Sequence, residues 1–226
     1  MGAGETYVKV WDAPVRLFHW VLVLLFAFMF VSGNLKGDWM EWHMRSGYAI
    51  LALVLFRILW GFAGGTYARF SSFLAGPSAG IAFARKLLTR TPAPSAGHNP
   101  LGGWMVVALL LALLFQVTTG LFANDDILIE GPLASLVTKA TSDKMTSWHY
   151  WNVNVLLALV AVHVVAILYH LGFMKENLIG AMFTGLKRMP ADVAKGVEAR
   201  FGSPWLALVL LAVAAIAVYL IVKRPF

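Results

Sequence analysis

The chain contains no cysteine. That excludes disulfides, thiolate-held iron–sulfur clusters and haem attached covalently through C-x-x-C-H. Charge is scarce as well. Asp, Glu, Lys and Arg make up 13% of the 226 residues, whereas 60% are hydrophobic, and mean hydropathy is +0.74. A soluble domain of this length has too little interior to hide so much apolar surface, so the composition reads as an integral membrane protein. The formal charge of +7 invites a nucleic-acid partner. Most basic residues fall in loops between apolar runs, as membrane topology demands, and no nucleic acid is expected. The start, MGAGETYVKVWDAP, lacks the basic opening and small-residue cleavage site of a signal peptide, so the first span is expected to stay in place. No internal repeat or low-complexity segment stands out.

What is present is a series of apolar runs long enough, or nearly so, to cross a bilayer. They cover about 16–33, 42–63, 101–123, 146–173 and 204–222. Asp12 is placed to cap the first, with Pro14 in its first turn. The breaker cluster TPAPSAGHNP precedes the third, and Pro204 opens the fifth. The predicted fold is all-α: a four-helix transmembrane bundle over residues 1–190, then a linker and a fifth transmembrane helix over 191–226. Segments 78–90 and 175–188 mix apolar and basic residues at helical spacing and read as helices lying in the headgroup layer.

Loop charge sets the orientation. Lys9, Arg16, Arg69, Arg85, Lys86, Arg90, Lys175, Lys187, Arg188, Lys195 and Arg200 fall on one side. The other side has Lys36, Arg45, Lys139, Lys144, Lys223 and Arg224, together with Asp38, Glu41, Asp125, Asp126, Glu130 and Asp143. The positive-inside rule puts the N-terminus in the cytoplasm. Lys223 and Arg224 run against the rule for the last span.

Histidines within spans are expensive and usually functional. His149 and His163 lie fourteen residues apart on the fourth span, close to four helical turns. Both rings then point to nearly one side, about 21 Å apart along the axis. His19 lies near the cytoplasmic end of the first span and His43 near the outer end of the second. Depth therefore pairs His43 with His149 and His19 with His163, each pair joining two helices. Two such pairs suit two six-coordinate haems stacked across the membrane, held without a covalent link. Arg57 follows His43 by the same fourteen residues, so it falls on the histidine face at the inner depth, where a haem propionate would partner it. Arg16 and Arg45 sit near the two interfaces and suit propionates too. Gly47, one turn after His43, would let a flat macrocycle approach the backbone.

Plainer readings stand beside these. A lone histidine at a helix end is more often an interfacial residue than a ligand. It is the depth matching of four, with Arg57, that argues against chance. Trp20, Trp42, Trp148, Tyr150 and Trp151 read as an interfacial belt. Gln116, Thr118 and Thr119 read as interhelical hydrogen-bonding groups. His170, seven residues after His163, is an alternative partner for His19. His98 can cap the third span or protonate a quinone.

The stretches VWDAPVRLFHW, EWHMRSGY, GHNPLGG, SWHYWNVN…ALVAVH and ENLIGAMFTG resemble the bacterial cytochrome b561 proteins and the b-type cytochrome subunits of Ni,Fe-hydrogenases. The resemblance spans residues 7–188. It implies two b haems per chain, held by His19, His43, His149 and His163 as the metal ligands. It also implies a place in the respiratory chain of the bacterial inner membrane. Electrons would pass between quinone or quinol and an outer, periplasmic partner: a c-type cytochrome, or a dehydrogenase or hydrogenase subunit. The fifth span is not part of the family's minimal pattern.

Three functions are then in play. The first is a dihaem electron carrier linking the quinone pool to an outer partner. The second is a stand-alone superoxide:quinone oxidoreductase. The third is a proton or solute transporter using the histidines as a relay, without haem. Histidine on both faces of a haem leaves no coordination position for a substrate, which favours electron transfer over oxygen chemistry.

Overall fold

The computed structural model of the chain describes residues 4–35, 37–89, 95–127 and 129–223. Lys36, Arg90 and Arg224 of the charge tally, and 91–94 of the breaker cluster, lie outside the described residues. Strand β1 (Glu5–Lys9) comes first, followed by the long helices α1 (Ala13–Ser32) and α2 (Trp39–Ala63). Two short 3-10 turns and α3 (Pro77–Leu88) lead into α4 (Pro100–Leu121). After a further 3-10 turn come α5 (Lys139–Gly172), α6 (Leu178–Thr184), strand β2 (Leu186–Pro190), α7 (Ala191–Ala194) and α8 (Pro204–Val222). Among the described residues five helices, α1, α2, α4, α5 and α8, are long and apolar enough to cross a membrane. They coincide with the five predicted spans. The main difference is that α5 begins about two turns earlier, at Lys139, ahead of its apolar run.

Local chemistry accounts for the boundaries. Asp12 caps α1, its Oδ1 accepting from the Val15 amide at 2.9 Å, so the N-cap expectation holds. Asn99, not His98, caps α4: the Gly102 amide donates to Asn99 Oδ1 at 2.7 Å. The side-chain amide reaches the third helical N–H, whereas the His98 ring packs at a tilt against Trp11 and Phe73, at centroid distances of 4.6 and 4.7 Å. The predicted 78–90 helix is α3. The predicted 175–188 helix is instead split. Asn177 caps α6, and Gly185, at φ +81°, ends it in the left-handed conformation that favours glycine. The chain then becomes β2, antiparallel to β1, with Val8 opposite Lys187.

The chain divides into two compact units that interleave in sequence: 1–17, 59–108 and 160–207 form the first, and 18–58, 109–159 and 208–226 the second. The first unit thus gathers the starts of α1, α4 and α8 and the ends of α2 and α5. That is the alternation expected of successive spans running in opposite directions.

In the first unit Trp60 is fully buried and donates its indole N–H to Asp12 Oδ2 at 3.1 Å. Trp104 lies against Gly80, where a β-carbon would sit 2.2 Å from the ring, and donates to the Ala75 carbonyl at 2.9 Å. The core of the second unit is mainly aliphatic, with Val54, Leu113, Val117 and Leu156 beside Phe56. Leu24, Leu111, Val165 and Ile216 are exposed on the long helices, as lipid-facing residues must be. Trp42, Trp148, Tyr150 and Trp151 are exposed as well.

Candidate functional site

The second unit brings His43 of α2 and His149 of α5 together, with ring centroids 6.3 Å apart and planes at 75°. Each ring is held by the helix before its own. His43 Nδ1 lies 3.3 Å from Ser32 Oγ of α1, whose hydroxyl donates to the Met29 carbonyl at 3.4 Å. His149 Nδ1 lies 2.9 Å from the Gln116 carbonyl and 3.3 Å from Thr119 Oγ1, both on α4. The Gln116 carbonyl only accepts, and the Ser32 hydroxyl gives its proton to Met29 and so accepts from His43, so Nδ1 carries the proton in each ring. In the neutral imidazole Nε2 is then the free lone pair, the tautomer that suits metal ligation.

Both holders end in glycine. A β-carbon on Gly33 would lie 3.0 Å from His43 Cε1, and one on Gly120 would lie 2.9 Å from His149 Cε1. Only glycine lets the imidazole lie this close to the helix backbone. Ser32 and Thr119 are among the most completely buried side chains of the molecule. One turn after His149, Asn152 donates to the Ala112 carbonyl and to Gln116 Oε1 at 3.0 and 2.8 Å. Gln116 and Thr119 are therefore interhelical hydrogen-bonding groups, as read from the sequence, and they also serve the histidine.

Sequence reasoning missed these holders. The signal is a sparse repeat: MFVSG at 29–33 precedes Trp42-His43, and QVTTG at 116–120 precedes Trp148-His149. The intervening lengths differ too much for the pattern to register as a repeat.

The remaining predicted residues fall elsewhere. His19, half-buried in the second unit, meets the edge of Trp20 at 5.0 Å. Arg57 is buried in that unit, 3% exposed. Arg45 is exposed, paired with Glu41 and stacked over Trp42 at 5.3 Å. At Gly47 a β-carbon would meet only Met29 Cε, at 3.6 Å. In the first unit Arg16 donates to the Phe183 carbonyl, while its buried Nε makes no hydrogen bond among the described residues. His163 is half-buried on α5. His170 is 7% exposed, and its Nδ1 lies 2.6 Å from Glu176 Oε2. Lys187, 5% exposed, pairs with Glu176 Oε1 at 2.6 Å and donates to the Ser95 carbonyl at 2.6 Å. Burial pushes the Glu176 carboxyl up. The hydrogen bond from His170 and the charge and hydrogen bond of Lys187 outweigh it and hold the group at about 2.

The spacing of the two rings is compatible with a haem held between them. Two imidazoles on opposite sides of one metal, each bonded at about 2 Å, place their ring centres roughly 6–7 Å apart, and the observed separation lies in that range. Among the described residues no three His, Cys, Asp or Glu side chains gather into a metal cluster. A two-histidine site suits a metal that arrives with its own four equatorial nitrogens.

The pattern of the prokaryotic cytochrome b561 family matches residues 10–185. The chain belongs to that family. It is a multi-pass membrane b-type cytochrome, and its chemistry is electron transfer on b-type haem. It is similar to the probable Ni/Fe-hydrogenase B-type cytochrome subunit of Azotobacter chroococcum mcd 1, 26% identical over 221 residues, covering 83% of this chain and 91% of the relative. It is also similar to the probable Ni/Fe-hydrogenase 1 B-type cytochrome subunit of Escherichia coli (strain K12), 26% identical over 212 residues, covering 79% and 89%. A third relative, the probable Ni/Fe-hydrogenase B-type cytochrome subunit of Cupriavidus necator, is 22% identical over 211 residues, covering 79% and 86%. No solved structure matches the chain.

Proposed function

We propose that this cytochrome holds two b haems and passes electrons between the quinone pool and a redox partner on the outer face of the bacterial inner membrane, with its N-terminus in the cytoplasm. The observation that carries the reading is the His43–His149 pair, spaced 6.3 Å between ring centres with Nε2 as the free nitrogen of each ring. The second haem rests on the depth match of His19 with His163 and on the burial of Arg57. Arg16, with its buried Nε, and Arg45 at the opposite interface are candidates for propionates. Haem with two histidine ligands supplies a one-electron carrier whose iron has no position left for a substrate.

A hydrogenase subunit is the partner best supported, since the relatives carry that description. The outer-side acids that would steer a basic partner are partly paired within the chain. Glu41 is paired with Arg45, and Asp126 and Asp143 are both paired with Lys139. Steering by net negative charge is correspondingly weak, and a c-type cytochrome is the less favoured partner.

The quinone reading has its own support in the first unit. A cavity of about 220 Å³ is walled by Phe83 and Met174 on the apolar side and by Asn99, His170, Glu176 and Lys187 on the polar side. Reducing a quinone to quinol consumes two electrons and two protons, and an ionisable chain beside an apolar wall suits such a head group. With the N-terminus in the cytoplasm, as the positive-inside rule favours, this cavity opens on the cytoplasmic side.

The test is reconstitution in lipid vesicles with a short-chain quinol while the haem bands are followed. Reduction of haem by quinol, and its reversal by quinone, is the expected result. Failure of both reactions with intact haem would reject the quinone link and leave transfer between protein partners. Absence of any reducible b-type band would reject the cytochrome itself and favour a histidine-relay transporter. Direct reduction by superoxide without another subunit would favour the stand-alone oxidoreductase.

A further inference from the structure

The two holders, Ser32–Gly33 and Thr119–Gly120, do more than orient a tautomer. Each Nδ1 faces a hydroxyl on the preceding long helix. His43 Nδ1 lies 3.3 Å from Ser32 Oγ. His149 uses Gln116 and Thr119. The hydroxyls are themselves fixed. Thr119 Oγ1 donates to the Phe115 and Gln116 carbonyls at 2.9 Å, and Ser32 Oγ reaches the Met29 carbonyl at 3.4 Å. An acceptor alone sets where Nδ1 sits but leaves the ring free to rock about its Cβ–Cγ bond. The hydroxyl on one side, and a helix surface lying against Cε1, fix that rotation. The outcome is the 75° angle between the two ring planes.

We propose that Ser32 and Thr119, seated beside Gly33 and Gly120, are positioning residues that hold the two imidazole planes crossed, and so set the electronic character of the haem between His43 and His149. The proposal rests on the reading of those histidines as ligands of one haem. Crossed imidazoles interact about equally with the two iron d orbitals of π symmetry. Those orbitals then stay nearly equal in energy, and the ferric low-spin signal is strongly axial, with a high largest g value. Planes turned toward parallel split the orbitals and bring that value down. The hydroxyls also act as acceptors toward Nδ1–H, which raises ligand basicity and favours ferric iron. Removing one should raise the midpoint potential.

The experiment uses the full-length protein, purified in detergent. Haem content is measured first, then the electron paramagnetic resonance spectrum and a redox titration are recorded. The variants are Ser32→Ala, Thr119→Ala, Gly33→Ala and Gly120→Ala, with Ser32→Thr and Thr119→Ser as hydroxyl-preserving partners. The expected result is a strongly axial outer-haem signal in the wild type that His43→Ala abolishes. Its largest g value should fall in the two hydroxyl deletions and the two glycine substitutions. The potential should rise in the hydroxyl deletions, and the hydroxyl-preserving variants should stay close to wild type. Loss of haem from Ser32→Ala with retention in Ser32→Thr would also support the role of the hydroxyl. Hydroxyl-deleted and hydroxyl-preserving variants behaving alike would overturn the proposal. If His43→Ala left the signal in place, the ligand assignment itself would fail, a different result from an unchanged Ser32→Ala.

Discussion

His170 Nδ1 lies 2.6 Å from Glu176 Oε2 across the turn that follows α5. With Lys187 on its other oxygen, Glu176 is a carboxylate held between two nitrogen groups, one of them a buried ammonium. An ion group of this kind is stable only while complete, because removing one member strands the rest.

The linkage has a defined sign. The Glu176 carboxyl is held at about 2 against an ordinary value of 4.5. It therefore stabilises the folded state above about pH 4.5, and that stabilisation fades as pH falls toward 2. Its size is on the order of 2–3 kcal/mol at neutral pH. Thermal unfolding in detergent should show Glu176→Gln less stable than wild type at pH 7. The gap should narrow steadily between pH 4.5 and 3. A gap constant over that range would contradict the assignment.

Haem stoichiometry tests the ligand pairing. Wild type should carry two haems by pyridine haemochrome. His43→Ala and His149→Ala should each lose the same one, and His19→Ala and His163→Ala the other. His170→Ala should keep both, because the pairing assigns the inner haem to His163. Loss of a haem from His170→Ala with retention in His163→Ala would reassign the inner ligand.

Gly47→Ala separates protein packing from cofactor packing. The added methyl would meet only Met29 Cε at 3.6 Å, an ordinary contact, so the protein itself should tolerate it. Helix propensity even favours alanine by about 1 kcal/mol. A macrocycle against Gly47 makes the same change lower haem occupancy. Unchanged haem content and spectra would place the macrocycle elsewhere.

Orientation is testable because no native cysteine interferes. Cysteine at Asp192 should resist an impermeant thiol reagent in intact cells and react after lysis. Cysteine at Ile127, which is 81% exposed, should react in intact cells. The reverse pattern would invert the topology.

Much of this molecule is legible in the sequence because the bilayer imposes strong rules. Long apolar runs become helices since lipid offers the backbone no partner, and the spans from Ala13 to Val222 follow. Asp12 before an apolar run reads directly as a cap. The depth pairing of His43 with His149 needs only 1.5 Å per residue. What lay hidden depended on partners distant in sequence. Strands β1 and β2 are five residues each, too short and mixed to show alternation, and each exists only through the other. Ser32 and Thr119 read as ordinary small polar residues until the histidines they face are known. Asn99 and His98 are adjacent candidates for one cap, and only the packing of His98 between Trp11 and Phe73 decides between them.

The pairing of β1 with β2 has a consequence for how the protein is made. Val8 leaves the ribosome long before Lys187, its partner. At ordinary rates of translation the first strand waits roughly ten to forty seconds for the second. Four spans must already be threaded into the membrane before the strand can close. An unpaired β1 therefore marks a chain whose β2 has yet to emerge, and a closed strand pair certifies that α1 through α6 have all been delivered.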